Sequence, residues 1–198
     1  MNWSPNIAYI PLDIPKHNLE NVVDHYNFWP HHLYADAWDC LPVCGKTTKW
    51  SQSAFYEAYE NRYEPGEVNW NVPELKPILE YYPGEVTHAQ VLNQKAAIVA
   101  HKDTPILRKQ PEPNGFKILL NNTLEKSFYV KIKGKRIHIE LPETTNCFAI
   151  NEHDILHGAT MPQYKKYIVS CFGIIDETKH KDLITRSKRK YGDYAIYF

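Results

Sequence analysis

The chain has 198 residues, a length typical of one domain, and its 23 basic residues balance its 23 acidic residues. A neutral chain has no general electrostatic reason to bind nucleic acid or an anionic membrane, and a hydrophobic content of 43% is too high for a disordered chain. No run approaches the ~18 apolar residues of a membrane span, and the first residues lack the features of a secretory signal. We therefore expect a cytoplasmic enzyme or binding domain.

Residues 1–84 are rich in aromatic residues, proline and turn-forming residues, and they contain all five tryptophans. The apolar residues of 19–26 have helical spacing, which predicts a short helix there. A second short helix is predicted to begin at Pro73 or at Pro77, and the Tyr-Tyr-Pro-Gly run at 81–84 ends it. The tryptophans and tyrosines of this part are expected either to line a substrate cavity or to pack in the core.

From residue 85 onward the sequence favours β-structure. Phe128, Val130 and Ile132 alternate with polar residues before Gly134, and a second alternating run follows, which predicts a hairpin with one buried face. Further runs bounded by turn residues predict strands at 86–92, 96–101, 115–120, 147–150 and 166–175. The last of these runs is apolar on both faces and is expected to lie inside a sandwich.

About eight short strands between residues 86 and 176 are typical of a β-sandwich or small barrel. We expect a mainly β protein with a double-stranded β-helix core, of the jelly-roll or cupin-like type, packed by a few helices from the N-terminal half. The predicted organisation is a single domain over 1–198, with a helical and loop part at 1–84, the β-helix core at 85–176 and a basic tail at 177–198. The tail is expected to be a solvated helix, with contact to a polyanion as the alternative.

Two histidines and one aspartate form the strongest candidate metal site. His101 ends a predicted strand, and the alternation of an extended chain puts Asp103 on the same side. His157 follows the predicted strand at 147–150, and the intervening strands can return the chain to the same barrel mouth. Two histidines and a carboxylate occupy one face of an octahedron and leave three positions open, which suits non-haem Fe(II) chemistry.

A competing metal motif overlaps the second histidine. His153 and His157 form an H-D-x-x-H pattern, which differs by one methylene from a zinc protease motif that requires a helix. The flanking residues predict β-structure instead of a helix, which disfavours the zinc protease. The four cysteines lack the paired spacing of a structural zinc site, and we expect them to be reduced and packed as small hydrophobic residues.

The stretch from Pro73 to Asp176 resembles the aspartyl/asparaginyl/prolyl hydroxylase type of Fe(II)- and 2-oxoglutarate-dependent dioxygenases. The order and spacing of several segments carry the resemblance, and no single motif does. In chain order these segments are the helical residues 77–79, the strand 86–92, His101-Lys102-Asp103, the strand 115–120, the residues 148–151 before His157, and the segment 165–170.

The resemblance implies that His101, Asp103 and His157 bind Fe(II) and serve as the catalytic centre. It also implies a basic residue that pairs with the distal carboxylate of 2-oxoglutarate. We expect Lys166 in this role rather than Lys165, with Lys117 as a second candidate and Ser170 as a possible supporting group; the family usually has arginine there. Members of the aspartyl branch can lack the carboxylate ligand, so Asp103 makes the chain more similar to the prolyl or small-molecule branches.

The implied reaction uses 2-oxoglutarate and O2 to hydroxylate a C–H bond of an amino acid, a peptide or a small metabolite, with succinate and CO2 as the other products. Two alternatives remain open from the sequence. One is a cupin-like module that binds a metal or a ligand without catalysis, because a fold does not determine a function. The other, less favoured, is the zinc protease. The oligomeric state has no sequence signal.

Overall fold

Two antiparallel sheets and three α-helices form the regular structure of the computed structural model, which describes residues 6–19, 21–32, 34–103, 115–120 and 127–198. The helices are α1 (Gln52–Glu60), α2 (Lys76–Leu79) and α3 (Glu177–Tyr191), with short 3-10 turns at Pro73–Leu75 and Gly192–Tyr194. The strands are β1 (Ile7–Pro11), β2 (Trp29–Pro30), β3 (Trp38–Gly45), β4 (Asn69–Trp70), β5 (Gly84–Gln94), β6 (Ile98–His101), β7 (Gly115–Leu119), β8 (Phe128–Ile132), β9 (Lys135–His138), β10 (Cys147–Ile150), β11 (Leu156–Ala159), β12 (Tyr167–Ile175) and β13 (Ile196–Tyr197).

The strands are divided between a large and a small sheet. Among the described residues, the large sheet has the order β13-β1-β10-β7-β12-β5-β3-β2, with β4 also paired to β3. The small sheet has the order β6-β11-β8-β9. All of the strand pairs are antiparallel, an arrangement compatible with a β-sandwich.

Each face of the large sheet covers a separate hydrophobic core. One core joins the two sheets, because Tyr9, Phe148 and Ile168 from the large sheet cluster with Val130 from the small sheet. The other core is larger and combines the opposite face of the large sheet with residues of α2 and α3, such as Leu183. All four cysteines are free and buried, as expected from the sequence. The first core therefore joins the two sheets, and the second attaches the helices to the large sheet.

The predictions for residues 85–176 are largely confirmed. Within the described residues this region contains eight strands, β5 to β12, and β12 lies inside the large sheet between β7 and β5. The predicted hairpin is β8–β9, and its turn residues Lys133 and Gly134 both have positive φ, as a tight type I′ connection requires. Ile137 is more exposed than the alternating pattern predicts.

The predictions for residues 1–84 need correction, because this part contributes strands to the large sheet as well as helices. Residues 21–25 form turns instead of the predicted helix; Asn21 has a positive φ, and Val22, Val23 and Asp24 after it are weak helix formers. The helix α1 was not predicted, although Ser51 caps it by accepting a hydrogen bond from the Ala54 N–H at 3.4 Å. The short helix α2 agrees with the prediction of a single turn near Pro77.

The basic tail begins with the predicted solvated helix, α3. Asp176 caps its N-terminus, and Leu183 and Ile184 anchor one face in the core. The other side carries exposed basic residues, among them Lys188 and Arg189. No helix among the described residues is long and apolar enough to cross a membrane.

Asp13 connects α3 to the segment after β1, and this contact gives a pH-dependent prediction. Its carboxylate accepts hydrogen bonds from Lys190 Nζ at 2.7 Å and Arg186 Nη1 at 2.8 Å, and these partners lower the pKa of Asp13. A carboxyl group whose pKa is lowered by folding stabilises the folded state at pH values above its pKa in the unfolded chain. This stabilisation is lost as the pH falls through the pKa of the group in the folded protein. We expect Asp13→Asn to lower the melting temperature at pH 7, with the difference from wild type vanishing at a pH below the folded Asp13 pKa.

Candidate metal centre

A cavity of about 390 Å³ is lined by residues of both sheets. Its lining includes all three predicted metal ligands, His101, Asp103 and His157. Lys117 and Ser170 also line it, from the large sheet. Aromatic residues of the N-terminal part are found in both expected places. Tyr34, Trp38, Tyr59 and Tyr63 line the cavity, whereas Tyr9, Trp70 and Tyr82 pack in the cores.

Strand pairing brings the two histidines together. His101 on β6 is directly opposite His157 on β11 in the antiparallel register, and the ring centroids are 4.5 Å apart. Asp103 lies two residues beyond His101, and its Oδ1 is 3.3 Å from His101 Nε2 and 3.8 Å from His157 Nε2. The three side chains therefore converge at one point, as the sequence predicts.

Backbone carbonyls orient both imidazole rings toward this point. The Nδ1 atom of His101 is 2.8 Å from the Val99 carbonyl oxygen, and that of His157 is 3.5 Å from the Ile155 carbonyl oxygen. Each ring therefore directs Nε2 toward Asp103, and a carbonyl partner on the other nitrogen is the usual support of a metal-binding histidine. The Asp103 N–H donates to the Glu152 carbonyl at 2.9 Å, which fixes the aspartate just beyond the end of β6.

The electrostatics of the three residues follow from their contacts. The hydrogen bond to Asp103 raises the pKa of His101, whereas burial lowers the pKa of the more enclosed His157. Burial alone would raise the pKa of Asp103, but the hydrogen bond to His101 and the charges of His157 and Lys117 hold it at about 2. The aspartate is therefore a carboxylate at neutral pH and is ready to bind a cation.

The donor set fits a divalent transition metal. The potential ligand atoms of the three residues all lie within 4.8 Å of one another. Adjacent ligands of an octahedral ion, each about 2.1 Å from it, lie roughly 3 Å apart, which is close to the shorter of the two Asp103 distances. Among the described residues no other group of three potential ligands is assembled in this way. A closed structural zinc site would need a fourth protein ligand, so the set matches an open, facial site better.

Lys117 and Ser170 form a second polar group in the cavity. They are opposite each other in the register of β7 and β12, and Lys117 Nζ donates to Ser170 Oγ at 3.0 Å. The same ammonium is 2.7 Å from Glu152 Oε1. Burial alone would lower the pKa of Lys117, but the charges of Glu152 and Asp103 outweigh it and raise the pKa. Lys117 is therefore a fixed cation close to the candidate metal ligands.

Lys166 is not brought to this group. Its Nζ donates to Gln94 Oε1 at 2.9 Å and to Ser127 Oγ, and it lies 3.3 Å from the centroid of the Phe128 ring. Lys166 is buried and is not among the described residues that line the cavity. Alternation predicts one face for Lys166 and Ser170 in an extended chain, but Lys166 precedes β12, and four residues separate the two by roughly 13 Å along that chain. Lys165 is exposed.

The local structure around His153 disagrees with the protease motif. The described residues 152–155 form turns and a bend that lead into β11, so His153 and His157 do not lie on one helical face. His153 Nδ1 is instead 2.9 Å from the Asp103 carbonyl oxygen. The histidine therefore supports the backbone at Asp103, and the helix required by a zinc protease is absent from this described segment.

Several residues of the cavity were not predicted from the sequence. Glu152 and Arg62 line it and are both buried, but each lies in a turn, where no periodicity marks its direction. Tyr59 lies on α1, which was itself missed. The Ser-x-x-Ala start of α1 and its buried pair Phe55 and Ala58 are the local signals that could have revealed this helix.

Gly158 allows the close approach of β6 and β8 to β11. A Cβ atom there would lie 2.6 Å from Tyr129 Oη and 2.7 Å from the Ile98 carbonyl oxygen. We expect Gly158→Ala to lower the free energy of unfolding by about 1–3 kcal/mol through overpacking and to weaken metal binding by displacing His157. Thermal unfolding and metal titration measure the two effects. Gly192→Ala is the control, because its Cβ would meet nothing within 4 Å and its change should be small.

Comparison with known proteins adds nothing to this geometry. No family model matches the chain, and a search of curated proteins finds no match.

Proposed function

We propose that the protein is an Fe(II)- and 2-oxoglutarate-dependent dioxygenase that hydroxylates an amino acid, a peptide or a small metabolite. The observation that carries the proposal is the convergence of His101, Asp103 and His157, with both Nε2 atoms directed at one carboxylate oxygen. Two histidines and a carboxylate with open positions are the typical ligand set of non-haem Fe(II) oxygenases. The catalytic centre of the proposal is this triad.

The proposal includes a double-stranded β-helix fold of the jelly-roll or cupin-like type. Eight consecutive described strands, β5 to β12, divide between two antiparallel sheets, with β7, β12 and β5 adjacent in one and β6, β11 and β8 adjacent in the other. The metal ligands come from the small sheet and its edge, while Lys117 and Ser170 come from the large sheet. A cavity lined by both sheets supports this assignment, since barrel mouths are common ligand sites.

In the proposed mechanism, His101, Asp103 and His157 would hold Fe(II), which supplies the activation of O2 that amino-acid side chains lack. The Lys117 ammonium has three N–H donors, of which Glu152 and Ser170 accept two. Within the described part of the chain the third has no acceptor, and we assign it to the distal carboxylate of 2-oxoglutarate, with Ser170 as its neighbour. Ile168, Phe148 and Ile150 line the same cavity and reduce its water content, which strengthens these charge interactions.

An anaerobic titration tests the function. Purified protein is given Fe(II) and then 2-oxoglutarate, and the visible spectrum is recorded. We expect a weak charge-transfer band only when both are present, because the cofactor would chelate protein-bound iron. The same titration of Asp103→Asn should give no band. Absence of the band in wild-type protein with iron bound would contradict the cofactor assignment.

A non-catalytic metal- or ligand-binding module of the cupin type is the second candidate. The pairing of Lys117 with Glu152 favours it, because a carboxylate of the protein already neutralises the cation that the cofactor would need. This module would bind a metal through the same triad and would respond to 2-oxoglutarate neither in its spectrum nor in its melting temperature. Metal analysis together with the titration above separates the two candidates.

A further inference from the structure

Arg62 is a buried cation in the cavity that has no acidic partner among the described residues. The residue is 5% exposed and lies just after α1, where its carbonyl oxygen accepts a hydrogen bond from the Thr87 hydroxyl. Its Nη1 donates to the Tyr59 carbonyl at 2.8 Å, but its Nε is buried with no hydrogen-bond partner among the described residues. Arg62 lines the same cavity as the metal ligands.

Aromatic rings surround the guanidinium. Its carbon lies 3.9 Å from the centroid of Tyr59, 4.9 Å from that of Tyr63 and 5.3 Å from that of Phe172, and all three rings line the cavity. These contacts are cation–π interactions, which hold the planar group in one orientation. They do not neutralise its charge, and they leave N–H donors for a further acceptor.

No described carboxylate compensates Arg62. The ion pairs among the described residues join other partners, and Glu152 is already paired with Lys117. The nearby His88 is fully buried, and burial together with the charge of Arg62 lowers its pKa to about 3, so it is neutral. A buried charge is costly unless it is paired, and an aromatic pocket alone could be filled by an uncharged side chain. The isolated guanidinium therefore indicates an anionic ligand.

The position of Arg62 separates it from the proposed cofactor site. Lys117 lies on β7 and contacts Glu152 and Ser170, whereas Arg62 follows α1 and contacts the rings of Tyr59, Tyr63 and Phe172. The charges of Arg62 and of Lys117 both act on the pKa of Tyr59, which lines the same cavity. A short cofactor that chelates the metal would reach Lys117, and Arg62 remains for a second molecule.

We infer that Arg62 binds a carboxylate of the substrate, and that the substrate is a carboxylate-bearing molecule whose apolar or aromatic part lies against Tyr59, Tyr63 and Phe172. The identification of this anion as substrate rests on the proposed function. The anion site itself rests only on the burial of Arg62, and on the lack of a hydrogen-bond partner for its Nε and of a counter-charge among the described residues. A bidentate contact with the planar guanidinium would orient the substrate within the cavity.

The test observes the Arg62 side chain directly by NMR. Nitrogen-15-labelled, metal-free protein is titrated with potassium acetate in place of potassium chloride at constant ionic strength, and with acetamide as the uncharged analogue. The Arg62 Nε–H resonance is assigned by its loss in Arg62→Lys. We expect a saturable shift with acetate and none with acetamide. Arg136 is the internal control, because it also stacks on a tyrosine ring, at 4.1 Å from the Tyr129 centroid, but is exposed; its resonance should show no saturable shift.

Two results would overturn the inference. One is the absence of a saturable acetate shift at Arg62, or an equal shift with acetamide, which would remove the anion site. The other comes from repeating the titration with Zn(II) and saturating 2-oxoglutarate: a blocked acetate response would assign Arg62 to the cofactor instead of the substrate. If acetate still binds Arg62 while 2-oxoglutarate shifts no Lys117 resonance, the anion site stands and the proposed dioxygenase function fails.

Discussion

Replacing Asp103 by asparagine, or His101 by alanine, is expected to weaken Fe(II) binding by more than about 100-fold and to abolish 2-oxoglutarate turnover. The reason is geometric, because each change removes one of three ligands in a set that has no fourth protein ligand among the described residues. Loss of a residue that only supports a metal ligand typically lowers affinity by about 10–100-fold, so loss of a ligand should exceed that range. Equilibrium titration with Fe(II) under anaerobic conditions and metal analysis of the purified variants measure the effect.

The matched control for the triad variants is His25→Ala. His25 is exposed and contacts Tyr26 rather than the cavity, so iron binding should be unchanged. Asp103→Asn keeps the side-chain shape, and removal of the negative charge between two histidines should not unfold the protein. Iron affinity equal to that of wild type in Asp103→Asn and His101→Ala would refute the metal site. Equal loss in the His25→Ala control would show that the assay does not report on the triad.

The candidate site was predictable because strand periodicity acts over short distances. His101 and Asp103 are two residues apart, so an extended chain puts them on one side whatever the rest of the fold does. The hairpin at β8–β9 was equally visible, since alternating residues and a glycine turn are local signals. His157 was predicted from strand order alone, and its cross-strand pairing with His101 depends on β11, a strand that the apolar pattern did not reveal.

The remaining errors concern features that depend on contacts between residues far apart in the sequence, which a short stretch of sequence does not reveal. Periodicity predicts the face of the sheet on which Lys166 lies. Whether its side chain reaches the cavity depends on where β12 pairs with its neighbours. The strands β1 and β3 lie in residues rich in proline and aromatic side chains, and they join the large sheet through partners far along the chain. Arg62 and Glu152 reach the cavity from turns, and tertiary packing sets their directions.

Lys117→Met is expected to raise the 2-oxoglutarate concentration at which the charge-transfer band reaches half its full intensity. The increase should be roughly 10- to 100-fold, and Fe(II) binding should be retained. A hydrogen bond to a charged group contributes about 1.5–3 kcal/mol, which corresponds to this range. Lys117 lies in the cavity beside Ser170, whereas Lys166 is held by Gln94 and Ser127 outside it. Lys166→Met should therefore lower stability and leave the 2-oxoglutarate requirement nearly unchanged. The charge-transfer titration and thermal unfolding measure the two quantities.

Glu152→Gln removes the negative charge beside Lys117, whereas Lys117→Met removes the positive one. Its carboxylate is 2.7 Å from Lys117 Nζ and would repel the carboxylate of an incoming cofactor. Replacing it with the neutral amide should tighten 2-oxoglutarate binding by several-fold, while the Glu152 carbonyl that accepts from the Asp103 N–H is retained. If Lys166→Met needed a higher 2-oxoglutarate concentration than Lys117→Met, the result would favour Lys166 as the partner of the distal carboxylate. Weaker cofactor binding in Glu152→Gln would instead mean that the carboxylate holds Lys117 in its binding position, and that the cofactor binds beside the ion pair without competing for it.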